Sequence, residues 1–171
     1  EDYCFFIEAL NTLYEATFKE EYLYRANELM SYCLQHFGEE ESGLFFITSD
    51  QDTPLVSRKM ERSDNVIPAS KSSLAKSLFR LGHHFENETY VSRSKKMLDT
   101  IVPQLVHYGA GYSNWGIMML YLTQPFYEIV VVGKSVDEKK KGFYRQYLPK
   151  TIFALNAEAG NLPLLKNCQH S

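Results

Sequence analysis

The sequence predicts a mainly α-helical chain of stacked helical hairpins, with a β-hairpin inserted between two of them and a small βαβ unit at the C-terminal end. Three observations carry this. Apolar residues recur at three- and four-residue spacing over five long segments. Leu13–Tyr22 resembles Leu78–Tyr90, and after each Tyr an apolar pair follows at the same interval, Leu29-Met30 and Met97-Leu98. After Pro125 the pattern becomes strand, helix, strand. The first two together give a helix–turn–helix unit recurring at about 65–68 residues, as stacked hairpins do when each buries a face its neighbour supplies. Two unrelated amphipathic hairpins would give the same pattern by coincidence.

Residues 3–17 place Tyr3, Phe6, Ile7, Leu10, Leu13 and Tyr14 on one broad apolar helical face. A second helix covers 19–37, with Ala26, Met30, Cys33 and Phe37 inward and Gly38 placed as a C-terminal cap. Gly43–Thr48 and Leu55–Arg58, joined by six polar residues, read as a β-hairpin. The polar stretch Ser63–Ser73 then runs into a third helix over 68–81, with Pro68 suited to its first turn. Asp64, Asn65, Ser70, Ser72 and Ser73 there are either helix caps or the floor of a polar pocket, since they exceed what one cap can use. A fourth helix covers 87–106 and should kink or end early at Pro103. Gly109-Ala-Gly111 precedes a fifth helix, 112–123. Glu128–Gly133 is a continuous apolar strand of the kind expected in a covered sheet, 137–147 a polar helix and Thr151–Leu155 a second strand. The division is thus 1–124 for the helical hairpins and 125–171 for the βαβ appendage.

The 171 residues, 44% hydrophobic and 14% aromatic, exclude a disordered chain. A net charge of −3 and an isoelectric point near 6.0 give no field that would attract nucleic acid or anionic lipid, so neither is expected as a partner. No apolar run approaches the roughly 20 residues needed to span a bilayer. Cys4, Cys33 and Cys168 are odd in number and widely spaced, and read as reduced thiols of a cytoplasmic protein. The chain opens Glu1-Asp2-Tyr3 without Met and already inside a periodic pattern, which suggests a fragment of a longer protein. Gly133-Lys134-Ser135 lacks the spacing of a phosphate loop, and His83-His84 has no further ligand at metal spacing, so no cofactor or metal is expected. There is no Gly-x-Ser-x-Gly nucleophile turn.

Several phrases occur together and in order: Glu1-Asp2-Tyr3, Asp64-Asn65-Val-Ile-Pro68-Ala-Ser70-Lys-Ser72, Tyr112-Ser113-Asn114-Trp115, and Glu128-Ile-Val-Val-Val-Gly133. The set resembles the C-terminal part of the thioredoxin-domain proteins of the spermatogenesis-associated protein 20 and YyaL type, over nearly the whole chain. The resemblance implies a partial (α/α)6 toroid, similar to those of N-acylglucosamine 2-epimerases and six-hairpin glycosidases, with a thioredoxin-like domain upstream. The chain departs from that pattern at Ala69, where the family usually carries Ser, and at Lys71, where it carries Asn. The added positive charge bears on any sugar contact there.

In such toroids, carboxylates at the rim of the inner helices can act as acid and base on sugars. Asp2 and Asp64 are the candidate catalytic pair. Glu1, Asn65, Ser70, Ser72, Tyr112, Asn114 and Trp115 are the candidate ligand contacts, the aromatic rings as stacking faces and the amides as donors and acceptors. Each has a plainer alternative: Asp2 as a first-turn acid, Asp64 as a cap, Trp115 as a core anchor. The expected function is a carbohydrate-handling domain acting on a sugar-like small molecule. The competing expectation is a non-catalytic module accompanying the thioredoxin-like domain. A partial toroid would leave a helical flank open, so self-association through Phe5 or Phe6 on the first helix, or Met118 or Met119 on the fifth, is also expected.

Overall fold

The computed structural model describes residues 1–53, 58, 60, 69–158 and 160–167. The chain is mainly helical with one small parallel sheet. Helices α1 (Asp2–Thr17) and α2 (Glu20–Phe37) form the first hairpin, and α3 (Ser70–His84) and α4 (Glu88–His107) form the second. A 3₁₀ turn, Gly109–Tyr112, leads into α5 (Ser113–Thr123). Strand β1 (Tyr127–Val132), helix α6 (Val136–Phe143) and strand β2 (Thr151–Asn156) make the βαβ unit, and a short α7 (Pro163–Asn167) follows. The strands are parallel, in register from Tyr127 opposite Thr151 to Val132 opposite Asn156.

The two hairpins pack through α1 against α3, and α5 lies against both α3 and α4. Helix α3 is therefore central: Ser72 to Ala75, Ser77 to Phe79, Leu81 and Gly82 are all buried. Gly82 allows α4 to approach, since a Cβ there would stand 2.6 Å from Val91 Cγ2. Asn87 starts α4 by accepting from the backbone N–H groups of Thr89 (3.1 Å) and Tyr90 (3.3 Å), as an N-cap does. Ile7, Tyr14, Leu23, Met30, Leu78, Met97, Ile101, Trp115 and Met118 form one continuous apolar core, each removing roughly 1.5–3 kcal/mol of side chain from water.

The βαβ unit joins this core rather than standing apart from it. Ile152 and Ala154 of β2, with Leu162, Leu164 and Leu165 around α7, belong to the same cluster. On the other side of β2, Phe153 packs on Phe143 of α6, ring centroids 5.2 Å apart. Polar ties reinforce the junction. Glu20, in the first turn of α2, accepts from Asn156 Nδ2 at 2.9 Å and from the Asn161 N–H, and Tyr144 donates to the carbonyls of Glu15 and Ala16. Phe18 ends α1 in the left-handed region (φ 58) and is held there by Tyr14, by Tyr144 and by Lys140, whose ammonium lies 5.0 Å from its ring centre.

Five expectations are corrected. Among the described residues Gly43–Thr48 forms no hairpin strand: its ladder contact there is a single antiparallel bridge between Gly38 and Phe45, while 55–57 lie outside the described residues. Neighbouring Leu44 (0% exposed) and Phe45 (2%) both turn inward, which the two-residue alternation of a one-sided strand does not permit. Gly38 does not cap α2 in the left-handed region; it is extended (φ −63, ψ 140), and its missing Cβ leaves room for Arg93. Helix α4 runs through Pro103 to His107, because half-buried Val102 and Leu105 pack its last turn on the core and the Tyr108 N–H donates to the Gln104 carbonyl at 2.9 Å. The apolar strand β1 is exposed or half-buried throughout, and β2 is the covered one. Helix α6 ends at Phe143, short of the expected 147.

In place of a partner strand, Arg93 of α4 holds the 39–45 loop. Its Nε donates to the Gly43 carbonyl (2.8 Å), and Nη2 to those of Glu39 (2.9 Å) and Leu44 (3.4 Å), while Nη1 meets Glu40 at 2.6 Å. Replacing Arg93 with Leu is predicted to cost about 2–3 kcal/mol in urea denaturation and to speed amide exchange across 39–45. Arg93→Lys should recover little of this, because a single ammonium cannot serve three carbonyls fixed for a planar fork.

Candidate functional site

Three of the concave regions among the described residues, all lined in part by α1 or α3, bear on the candidate residues. The first is at the start of α3. Ala69 occupies the N-cap position and no side chain caps the helix, so among the described residues the hydroxyls do not serve as caps. Ser72 Oγ instead donates to the Ala69 carbonyl (2.8 Å) and accepts from Asn114 Nδ2 (2.7 Å). This buried link ties the first turn of α3 to that of α5. Asn114 is 8% exposed and Trp115 0%, while Tyr112 is half-buried at the end of the 3₁₀ turn. Trp115 thus has both faces against protein, with no ring surface for a sugar. Ser70 is half-buried and Lys71 is buried, and both line a narrow pocket of about 60 Å³ with Glu1, Cys4, Cys33 and Phe45. That space is small beside the roughly 300–1,000 Å³ typical of ligand pockets. Asp64 and Asn65 lie outside the described residues.

The second region is a shallow hollow of about 420 Å³ on the outer side of α1, lined by Asp2, Tyr3, Phe6 and Leu29. Here Asp2 is exposed, as is Glu1 before it, and Phe6 is half in water. Asp2 and Asn114 therefore do not share a pocket: Asp2 faces this hollow and Asn114 is interior.

Sequence reasoning missed the third region, a polar cleft of about 200 Å³ between α1 and α3, lined by Glu8, Asn11, Lys76, Ser77, Arg80 and Tyr121. Lys76 Nζ pairs with Glu8 at 3.1 Å and Arg80 with Glu15 at 3.0 Å. The available signal was Asn11 itself, a polar residue at the inward position between Ile7 and Tyr14. Among the described residues, no three His, Cys, Asp or Glu side chains gather as metal ligands would, and no helix is long and apolar enough to cross a membrane.

Electrostatics set what the interior groups can do. Burial pushes the Cys4 thiol up to about 11, against weaker opposing pulls from the N-terminal ammonium and the Ser70 hydroxyl. Cys33 is pushed up to about 12, again by burial first. Both are unpaired thiols and remain protonated at neutral pH, so neither is a competent nucleophile. Iodoacetamide at pH 7.5 should therefore modify Cys4 and Cys33 only on the time scale of unfolding. Fast native labelling of either would contradict their burial.

His84 is interior, edge-on to Tyr14 with ring centroids 5.1 Å apart, and its Nδ1 has no hydrogen-bond partner. Burial, with Arg80 and His83 adding to it, pulls its imidazole down to about 3. The unfolded chain takes up that proton near 6.5. As pH falls from 6.5 towards 3 the unfolded state therefore binds more protons, and stability drops by up to about 1.4 kcal/mol per pH unit. Glu39 and Asp50, whose carboxyls hydrogen bonds hold low, act in the same direction but at lower pH. Urea denaturation between pH 6.5 and 5 isolates the histidine: His84→Leu should flatten the slope there, and an unchanged slope would contradict the assignment.

No family model matches the chain. It is similar to an uncharacterized protein of Caenorhabditis elegans, B0495.5, with 32% identity over 96 residues. The aligned stretch is 56% of this chain and 13% of that protein, so the chain spans a small part of the relative's length.

Proposed function

We propose that this chain is a non-catalytic structural and interaction module, a segment of an α/α toroid that accompanies a thioredoxin-like domain in a longer protein. The toroid reading is supported by the packing order. Helices α1, α3 and α5 lie side by side as an inner row, while α2 and α4 back α1 and α3 as the outer partners of two hairpins. The observation that carries the functional reading is the Asn114–Ser72 hydrogen bond beside a fully enclosed Trp115. The groups best suited to hold a sugar spend their bonding capacity on joining α3 to α5. The module's contact face is the outer side of α1, where Phe6 (53% exposed) and Leu13 (43%) leave an apolar stripe. Met118 is wholly buried and has no part in such a contact.

The hollow beside Asp2 favours the second reading, a carbohydrate-handling domain. There an exposed carboxylate meets the exposed rings of Tyr3 and Phe6, the pairing that sugar recognition uses.

The two readings separate on Asn114→Ala. For a module, the variant loses about 1–3 kcal/mol of stability through the lost Asn114–Ser72 hydrogen bond and the space left beside it, while calorimetric titration with hexoses and N-acetylhexosamines gives the same heats as the unmodified chain. A variant that melts normally but loses a hexose signal would overturn the module reading.

A further inference from the structure

Strand β1 leaves one edge of the sheet open. In a parallel pair, alternate residues of a strand bond its neighbour, and the residues between them point away. The Tyr127 N–H donates to the Lys150 carbonyl at 2.9 Å, and the Gly133 N–H to that of Asn156 at 3.0 Å. The odd-numbered residues of β1 therefore face β2. The N–H and C=O groups of Glu128, Val130 and Val132 point the other way, and among the described residues no backbone group outside the sheet bonds them. Among those residues the sheet has two strands. Helices α6 and α7 each touch both strands, which places them over the faces of the sheet and not along this edge. The far edge of β2 is closed by contrast, since Thr151 (6% exposed) and Leu155 (1%) present it and both are buried.

The open edge lacks the usual safeguards. A strand that must stay unpaired is very short, bulged, or guarded by Lys or Pro. Strand β1 keeps unbroken register with β2 over six residues and contains neither Lys nor Pro. Ile129 to Val132 are all β-branched, and Val132 is 41% exposed. Its one charge, Glu128, meets His83 of α3 at 2.6 Å. Such an edge is a template for a further strand.

We infer that β1 pairs antiparallel with β1 of a second copy of this chain, about a twofold axis at Val130. The placement of charge favours the copy as occupant. The outward residues 128, 130 and 132 are symmetric about the axis, so Val130 exchanges both hydrogen bonds with its own counterpart. Glu128 falls opposite Val132 in each half, which holds the two carboxylates at opposite ends of the pairing. An axis at Glu128 would oppose the carboxylates directly, and one at Val132 would leave Glu128 beyond the paired strand. Cross-strand pairs of β-branched residues then occupy the centre, where they stabilise a sheet. Because β1 offers the open edge and β2 does not, pairing closes at a dimer with strand order β2-β1-β1-β2. This contact goes beyond the module role and is separate from the outer side of α1.

The test is analytical ultracentrifugation of the full chain from low to high micromolar concentration, with amide exchange followed by NMR. A reversible monomer–dimer equilibrium should appear. As it shifts to dimer, exchange of the Val130 and Val132 N–H groups should slow, while Ile129 and Val131, already bonded to β2, change little. Val130→Pro removes a donor that only the open edge uses, so the variant should stay folded and become monomeric. If it does not fold, two variants at exposed Val132 carry the test. Val132→Glu meets the like charge of Glu128 and Val132→Lys the opposite one, so the dimer dissociation constant should be at least about tenfold higher for Glu. Phe6→Glu on α1 should leave the dimer intact. A chain that stays monomeric at every concentration, as an edge kept for another protein's strand would be, overturns the inference. So does a dimer that Val130→Pro leaves unchanged or Phe6→Glu dissociates, one without slowed exchange at Val130 and Val132, or equal dissociation constants for the two Val132 variants.

Discussion

Helix α3 has almost no solvent side, and the rest of the fold depends on that constraint. It touches α1, α2, α4, α5 and α7, so its side chains must be small or apolar nearly all round. The run Ser72-Ser73-Leu74-Ala75 and the later Gly82 meet this requirement, with small residues wherever a neighbouring helix comes close. A helix so enclosed must also settle its own polar groups. Ser72 does so through Ala69 and Asn114. The cost of the enclosure shows at His84, whose imidazole burial pulls down to about 3.

The one wetter strip of α3 carries Lys76, Arg80 and His83, spaced so that each reaches a carboxylate on a neighbour: Glu8 and Glu15 of α1, and Glu128 of β1 at 2.6 Å. Partly exposed pairs of this kind contribute only about 0–1 kcal/mol each. Their effect is on geometry. They fix how far α3 is shifted along α1, and they place the start of β1 against the C-terminal end of α3. The same register sets Asn11 opposite Ser77 and so forms the cleft.

The five long helices were legible because their apolar spacing directly records which face is covered, and the βαβ unit because Pro125 and the change of period mark it. Elements determined by tertiary contact were not. The 39–45 loop contains strand-like residues, Leu44-Phe45-Phe46-Ile47, but its backbone is satisfied by Arg93, which lies 50 residues from Gly43 in sequence. No local pattern announces a partner that distant. Pro103 is a strong local stop that core packing outweighs. The five-residue α7 is too short to show a period. The candidate residues show the same limit: a Trp or Asn at a helix start has one signature whether it faces a ligand or the core. Only packing shows that Asn114 and Trp115 are interior and that Asp2 is not.

The two buried asparagines make the distinction sharper. Asn114 and Asn11 have the same side chain, comparable burial and positions on the two helices, α5 and α1, that pack on α3. Asn114 meets a hydroxyl across the helix interface, so its net contribution to folding is favourable by about 1 kcal/mol or a little more. Asn11 meets no polar partner among the described residues and works against folding. Selection for stability alone would retain the first and replace the second with Leu at little steric cost, completing the stripe of Ile7, Leu10 and Tyr14. The amide at position 11, beside a cleft flanked by the Glu8–Lys76 pair, is therefore a polar group that the stability of the fold does not explain.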